Sequence, residues 1–172
     1  MNETPCKIVN ARTMICFTVG TQRFNHRVAA IIIHDGRVLI HRRVQDDFWA
    51  LPGGRIELGE SSCRSLQREM REELGVDVTV ERLLWIMENF FDFDDLAFHE
   101  VAMYYLVSLP EDAAILAADR MAGMEDDCPL VFEWFPIDAL EDVPLYPQVL
   151  RTALRKLPAT TQHLSLVEVE RT

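Results

Sequence analysis

The chain has 172 residues and a formal net charge of −11, with 49% hydrophobic and 26% charged residues. That length and balance suit one globular domain with a substantial core, while the acidity argues against a nucleic-acid surface and requires local neutralisation of any polyanionic ligand. No run approaches the roughly 18 apolar residues of a membrane span, the N-terminus lacks a signal-peptide core, and the cysteines (Cys6, Cys16, Cys63, Cys128) form no C-x-x-C pair. A reduced, cytoplasmic protein without membrane contact is the expectation.

In chain order, the first dozen residues read as peripheral. Arg27 to His34 reads as a buried strand, and Asp35-Gly36 is a hairpin signal before a second strand at Val38 to His41. Phe48-Trp49-Ala50-Leu51-Pro52 leads into Gly53-Gly54. Cys63 to Leu74 has helical periodicity, with Cys63, Leu66, Met70 and Leu74 forming one apolar stripe. Ser61 or Ser62 is placed to cap this helix and Gly75 to end it.

Val76 to Glu88 alternates as one long strand or two broken ones, and Asp92-Phe93-Asp94-Asp95 reads as a solvated turn. His99 to Val107 alternates, with Val101, Met103, Tyr105 and Val107 on one face. Pro110 to Pro129 reads as a loop with a short helix, Leu130 to Phe135 as a strand and Pro147 to Lys156 as a second helix. Residues after Leu157 are expected at the periphery. Strands with helices before and after them indicate α/β or α+β packing.

The chemistry concentrates on the first helix. Glu69, Glu72 and Glu73 stand at i, i+3 and i+4, on a face beside the apolar stripe. Like charges so close repel unless a cation sits among them, and hard oxygen donors suit Mg²⁺ or Mn²⁺, especially with substrate phosphates completing the shell. Arg68, four residues before Glu72, is a cation within reach of both Glu72 and Glu60.

As spacing, residues 54 to 76 read Gly54, five residues, Glu60, seven residues, then Arg68-Glu69-Met70-Arg71-Glu72-Glu73-Leu74-Gly75-Val76. This resembles the Nudix box, the signature of the Nudix hydrolase family, with every fixed position filled; at average residue usage such a match arises by chance on the order of 10⁻⁹ per starting position. Arg27 to Gly36 and Trp134 to Leu140 also look like Nudix flanking elements. The resemblance implies an α/β/α sandwich around a mixed β-sheet, in a single Nudix domain over residues 1–172 with its core at about 24–156.

It also implies a divalent-metal-dependent hydrolase that cleaves a pyrophosphate bond in a nucleoside diphosphate linked to another moiety, such as a nucleoside triphosphate or a nucleotide sugar. The alternative is a catalytically silent Nudix-fold nucleotide-binding module. By resemblance, Glu69, Glu72, Glu73 and a glycine carbonyl (Gly53 or Gly54, with Gly54 the residue inside the box) hold Mg²⁺ or Mn²⁺, and Glu60 and Arg68 keep the glutamates in place. The catalytic glutamates are Glu72, Glu73 and one from the region before Trp134: Glu133, or Glu125, Asp126 or Asp127 in the loop before it.

Among residues outside the box, Arg27, Phe91 and Glu100 are the substrate-binding candidates. Arg27 is a cation opening a buried strand, Phe91 is an aromatic able to stack on a base, and Glu100 is a carboxylate able to reach the cleft as a ligand or base. The partner implied is a small nucleotide, with no nucleic-acid polymer and no membrane, and a homodimer is left open. The residues downstream of the box (Phe91, Asp92, Phe93, Asp94) lack the proline that marks ADP-ribose enzymes and the tyrosine that marks dinucleoside polyphosphate enzymes.

Overall fold

The run Val28 to Ile32 is apolar at every position, which is the pattern of a strand buried on both faces, and the fold is built around it. The computed structural model describes residues 12–124 and 129–168. Its strands are β1 (Cys16–Val19), β2 (Gln22–Ile31), β3 (Ile33–His34), β4 (Arg37–Arg43), β5 (Thr79–Phe93), β6 (Leu96–Ser108), β7 (Arg120–Ala122), β8 (Leu130–Pro136) and β9 (Gln162–Glu168). Helix α1 (Ser62–Leu74) lies between β4 and β5, and the short α2 (Leu150–Ala153) precedes β9.

One sheet has the order β1-β2-β6-β5-β9 and the other β3-β4-β8-β7. The first is mixed: β2 and β6 are parallel, as are β5 and β9, and the remaining pairs are antiparallel. The result is a mixed α+β fold with few helices.

Alternate residues of the run enter two different cores. Val28 and Ala30 of β2 and Ile32 just after it pack with Leu66, Met70 and Leu74 of α1, together with Tyr105, Val107, Phe132 and Trp134. Ala29 and Ile31 pack on the other side with Trp49, Leu51, Met87, Tyr104, Leu150 and Leu154. Burying each α1 anchor contributes roughly 1.5–3 kcal/mol, so the helix is held by its stripe more than by its intrinsic propensity. Ser61 Oγ accepts from Arg64 N–H at 3.4 Å, and Gly75 closes the helix at φ 68°. Ser62 instead shares a 2.7 Å hydrogen bond with the Tyr105 hydroxyl. Cys63, expected on the buried stripe, lies in the exposed first turn, and Ser65 is buried in its place.

The Asp35-Gly36 hairpin has both central residues at positive φ, 49° and 73°, as a tight two-residue turn requires. Asp94 and Asp95 (φ 53° and 59°) make a second such turn between β5 and β6. Several boundaries differ from the sequence expectation. β2 begins at Gln22, because residues 22 to 26, outside the apolar run, also pair along β6. β5 is one strand through Phe93, with register shifts at Val80/Arg82 and Leu83/Trp85. Pro147 to Lys156 is turned throughout, but only Leu150–Ala153 is α-helical, flanked by bonds such as Leu150 N–H to Pro147 O and Lys156 N–H to Ala153 O. Its N-terminus has no side-chain cap, and Pro158 disfavours helix just beyond.

Pro110 to Met124 contains the 3₁₀ turn Ala114–Ala117 and strand β7. After Leu157, where the periphery was expected, the chain adds β9 to the sheet edge beside β5. Of the first dozen residues only Arg12 is described, and it is exposed. Among the described residues no helix is long and apolar enough to cross a membrane.

Candidate active site

The glycine loop is fastened to the edge of β2. Ala30 N–H donates to Pro52 O (2.7 Å), Val28 N–H to Gly54 O (2.9 Å) and Ile56 N–H to His26 O (3.0 Å). Gly53 sits at φ 142°, and a Cβ there would collide with Val28 O. A Cβ on Gly54 would collide with the Glu69 carboxyl carbon, so that carboxyl rests directly on the Gly54 backbone. Gly53 therefore requires glycine, for close approach to backbone as well as for its φ, while at Gly54 a side chain would displace the Glu69 carboxyl. The Gly54 carbonyl, assigned to the metal by resemblance, is already held by Val28 N–H. The Gly53 carbonyl accepts from Arg27 Nη2 at 3.3 Å, and Arg27 also acts electrostatically on Glu69. Gly53 is thus the glycine whose carbonyl lies with the charged groups.

Arg68 is the hub of α1. Its Nε and Nη2 donate to the two oxygens of Glu60 (3.0 and 2.9 Å), and Nη1 donates to Glu69 (2.7 Å) and Glu72 (3.1 Å). Nη2 also reaches Arg55 O and Ser65 Oγ, both at 3.1 Å, and Glu57 lies 3.8 Å away. A planar guanidinium supplies this fork of donors and an ammonium does not. Burial works against the Arg68 charge, yet the bonds to Glu60 and Glu69 outweigh it and raise its pKa. Burial raises the Glu69 pKa above the ordinary carboxylate range, against the pull of Arg68. Glu72 bridges outward to exposed Arg12 at 2.5 Å.

Hydrogen bonding from Arg68 holds the Glu60 carboxyl below its usual range. A depressed carboxylate stabilises the fold above its unfolded pKa, near 4.3, and loses that contribution as pH falls through its folded value. The melting-temperature advantage of the natural protein over Glu60→Gln is therefore expected to be largest at neutral pH and to shrink as pH falls below about 4. Thermal melts of both proteins across that range check it.

Glu73 does not join Glu69 and Glu72. It is buried, with Oε2 3.8 Å from His41 Nδ1. Burial, with Arg27 and Arg43 adding to it, lowers the His41 pKa to about 3, so the ring is neutral and the approach is not an ion pair. Glu69 and Glu72 turn their carboxyls to Arg68, while Glu73, only about 40° beyond Glu69 around the helix, reaches His41 of β4 instead. Among the described residues no three His, Cys, Asp or Glu side chains are gathered to hold a cation as they stand. The donors are nevertheless of the right kind: the Glu69 carboxyl in its glycine cradle, Glu72 beside it and the Gly53 carbonyl offer hard oxygens suited to Mg²⁺ or Mn²⁺.

The remaining candidates are divided by the sheets. Glu133 pairs with Ile40 on β4, and its nearest cation is Arg120 at 3.7 Å. Its strand neighbours Phe132 and Trp134 face the α1 core, so Glu133 points to the opposite face and is not brought to the glutamate cluster. Glu125, Asp126 and Asp127 lie outside the described residues. Arg27 is engaged by the Leu51 and Gly53 carbonyls (3.1 and 3.3 Å). Phe91 stacks on Phe98, with centroids 4.9 Å apart. Glu100 is buried, 6% exposed, and accepts from Asn25 Nδ2 at 2.6 Å. Sequence reasoning missed Asn25, Arg55, Asn89 and His41: Arg55 is at an unfixed position of the box, and the other three belong to no local motif.

The NUDIX domain family model matches residues 24–157. The chain is 28% identical over 156 residues to an RNA pyrophosphohydrolase of Halorhodospira halophila, covering 84% of this chain and 85% of that protein. It is 47% identical over 57 residues to the CTP pyrophosphohydrolase of Escherichia coli, a match that covers 31% of this chain and only 42% of that protein. Among solved structures, the MutT NUDIX hydrolase of Burkholderia pseudomallei superposes with a TM-score of 0.56 at 29% identity, over 77% of this chain and 96% of that one.

Proposed function

The chain belongs to the Nudix hydrolase family, and on that premise we propose that it hydrolyses a pyrophosphate bond in a nucleoside diphosphate linked to another group, with Mg²⁺ or Mn²⁺ held at α1. The observation that carries this reading is the carboxylate cluster of Glu60, Glu69 and Glu72, fixed by one arginine against a loop in which Gly53 leaves no room for a side chain. The relatives named RNA pyrophosphohydrolase and CTP pyrophosphohydrolase share that reaction class.

Glu69, Glu72 and the Gly53 carbonyl would hold the metal. When bound, the cation supplies charge neutralisation of the diphosphate and a more acidic water. Glu72, the most exposed of the three helix glutamates, with a side chain 27% exposed, is placed to orient the attacking water and take its proton on a carboxylate oxygen. Arg68 holds Glu69 and Glu72 in position, and Glu60 holds Arg68. Arg27 buttresses the loop through the Leu51 and Gly53 carbonyls. A silent binding module would be expected to lose one or more helix glutamates, and this chain retains all of them.

The test is a panel of nucleoside triphosphates, nucleotide sugars and a short 5′-triphosphorylated RNA, assayed for products with Mg²⁺, with Mn²⁺ and with excess EDTA. Turnover is expected with either metal on small nucleotides, with complete loss in EDTA. Full turnover in EDTA would overturn the metal assignment, and binding without cleavage would favour the silent module. The net charge of −11 leads us to expect small nucleotides to outperform the RNA.

A further inference from the structure

The face of the mixed sheet opposite α1 is apolar through Ala29, Met87, Ala102 and Tyr104, then turns polar in a single row. Asn25 on β2 pairs with Glu100 on β6, and Glu100 with Asn89 on β5, so the three side chains stand side by side on one face. They are 5%, 6% and 4% exposed, respectively.

Arg55 Nε donates to Asn25 Oδ1 at 2.9 Å, and Asn25 Nδ2 donates to Glu100 Oε2 at 2.6 Å. This chain of bonds orients the Glu100 carboxyl from one side only. Its second oxygen accepts nothing from the described residues. The Asn89 side chain makes no hydrogen bond to them either, and its Oδ1 is buried without a partner. Buried polar groups are ordinarily satisfied, and the reaction proposed above uses neither residue.

The row lies close to that reaction. Arg27, two residues from Asn25 and on the same face, reaches the Gly53 carbonyl, a step of about 7 Å along the strand. On the other flank, Phe91 follows Asn89 by two residues and stacks on Phe98, while Phe93 meets Phe48 with centroids 5.7 Å apart. Aromatic faces beside a short hydrogen-bonding edge are what a nucleobase needs.

We propose that the Asn25–Glu100–Asn89 row reads the Watson–Crick edge of guanine, making a guanine nucleotide the preferred substrate; this rests on the pyrophosphohydrolase reading above. A carboxylate only accepts, and it can accept two parallel N–H groups. Guanine alone among the common bases offers a ring N–H beside an exocyclic amine. Its O6 then meets the Asn89 amide nitrogen, the outward donor given that Oδ1 is the buried atom. Adenine and cytosine place a ring acceptor beside their amine, and uracil flanks one donor with two acceptors, so each sets lone pairs against Glu100.

The test compares kcat/KM for GTP, ITP (which lacks the exocyclic amine), ATP and 2′,3′-dideoxy-GTP, with Mg²⁺, in the natural protein and in Glu100→Gln. The amide introduced by that substitution retains an oxygen for Asn25, and equal melting temperatures will show that the fold is kept. The natural protein is expected to prefer GTP over ITP by at least tenfold, and Glu100→Gln to lower GTP turnover by roughly 10²-fold, the scale of an unpaired recognition group. ATP turnover is expected to hold or rise, because the introduced amide N–H then faces the adenine ring acceptor that the carboxylate opposed.

An unchanged GTP-to-ATP ratio in Glu100→Gln would overturn the guanine assignment while leaving the hydrolase reading intact. Loss with dideoxy-GTP but not with ITP would place the ribose diol on Glu100 and overturn it as well. If no nucleotide is cleaved, the hydrolase reading fails, and calorimetric titration with GMP and AMP decides the base preference: selective GMP binding that is lost in Glu100→Gln supports it, and equal binding overturns it.

Discussion

Glu72→Gln is expected to lower kcat by roughly 10² or more, the scale of losing one preorganised electrostatic contact, with little effect on thermal stability. The side chain is 27% exposed and lies on Arg68 Nη1 at 3.1 Å with Arg12 on its outer side. The same guanidinium keeps its bonds to Glu60 and Glu69 when Glu72 is neutralised. One negative charge fewer among Glu57, Glu60 and Glu69 also relieves repulsion, so the melting temperature should hold or rise. Glu73→Gln provides the contrast. Its carboxyl is buried beside neutral His41 rather than against Arg68, so its substitution should alter stability more than that of Glu72. Turnover and melts on the same preparations check both. A Glu72→Gln protein that unfolds while its folded fraction keeps full activity would make Glu72 structural.

Helix α1 was legible because its signals are local. A stripe at three- and four-residue steps, a serine before it and a glycine after it all fall within fifteen consecutive residues, and Leu66, Met70 and Leu74 are buried as that stripe requires. Asp35-Gly36 was legible for the same reason. What the sequence hid depends on which face a strand turns to a neighbour. Glu133 beside Trp134 looks like part of an active site, but alternate residues of β8 serve different sheet faces. The burial of Glu100 is set by its partner Asn25, 75 residues earlier in the chain, a separation no local pattern reports. β9 carries only Leu164 and Leu166 as inward apolar residues, too short an alternation to distinguish from a polar tail.

Arg68→Lys is expected to reduce kcat strongly while changing KM much less. Lysine keeps the charge but is a single point of three donors, so it cannot hold both oxygens of Glu60, one of Glu69, one of Glu72 and the Arg55 carbonyl at once. Glu69 then loses the partner that offsets its burial, and Glu72 is left to exposed Arg12. Displaced carboxylates misplace whatever they orient, which is a loss felt in the transition state more than in ground-state binding. Stability should also fall, because three donors leave some of the carboxylate oxygens unpaired; the retained charge and the 15% exposure of the Arg68 side chain keep the loss below the roughly 3–5 kcal/mol of removing a buried partner outright. Had Arg68 bound substrate phosphate equally in ground and transition states, its replacement would raise KM and spare kcat. Steady-state kinetics of this variant at saturating metal, read beside its melting curve, separates the two, and an effect confined to KM would refute the positioning role.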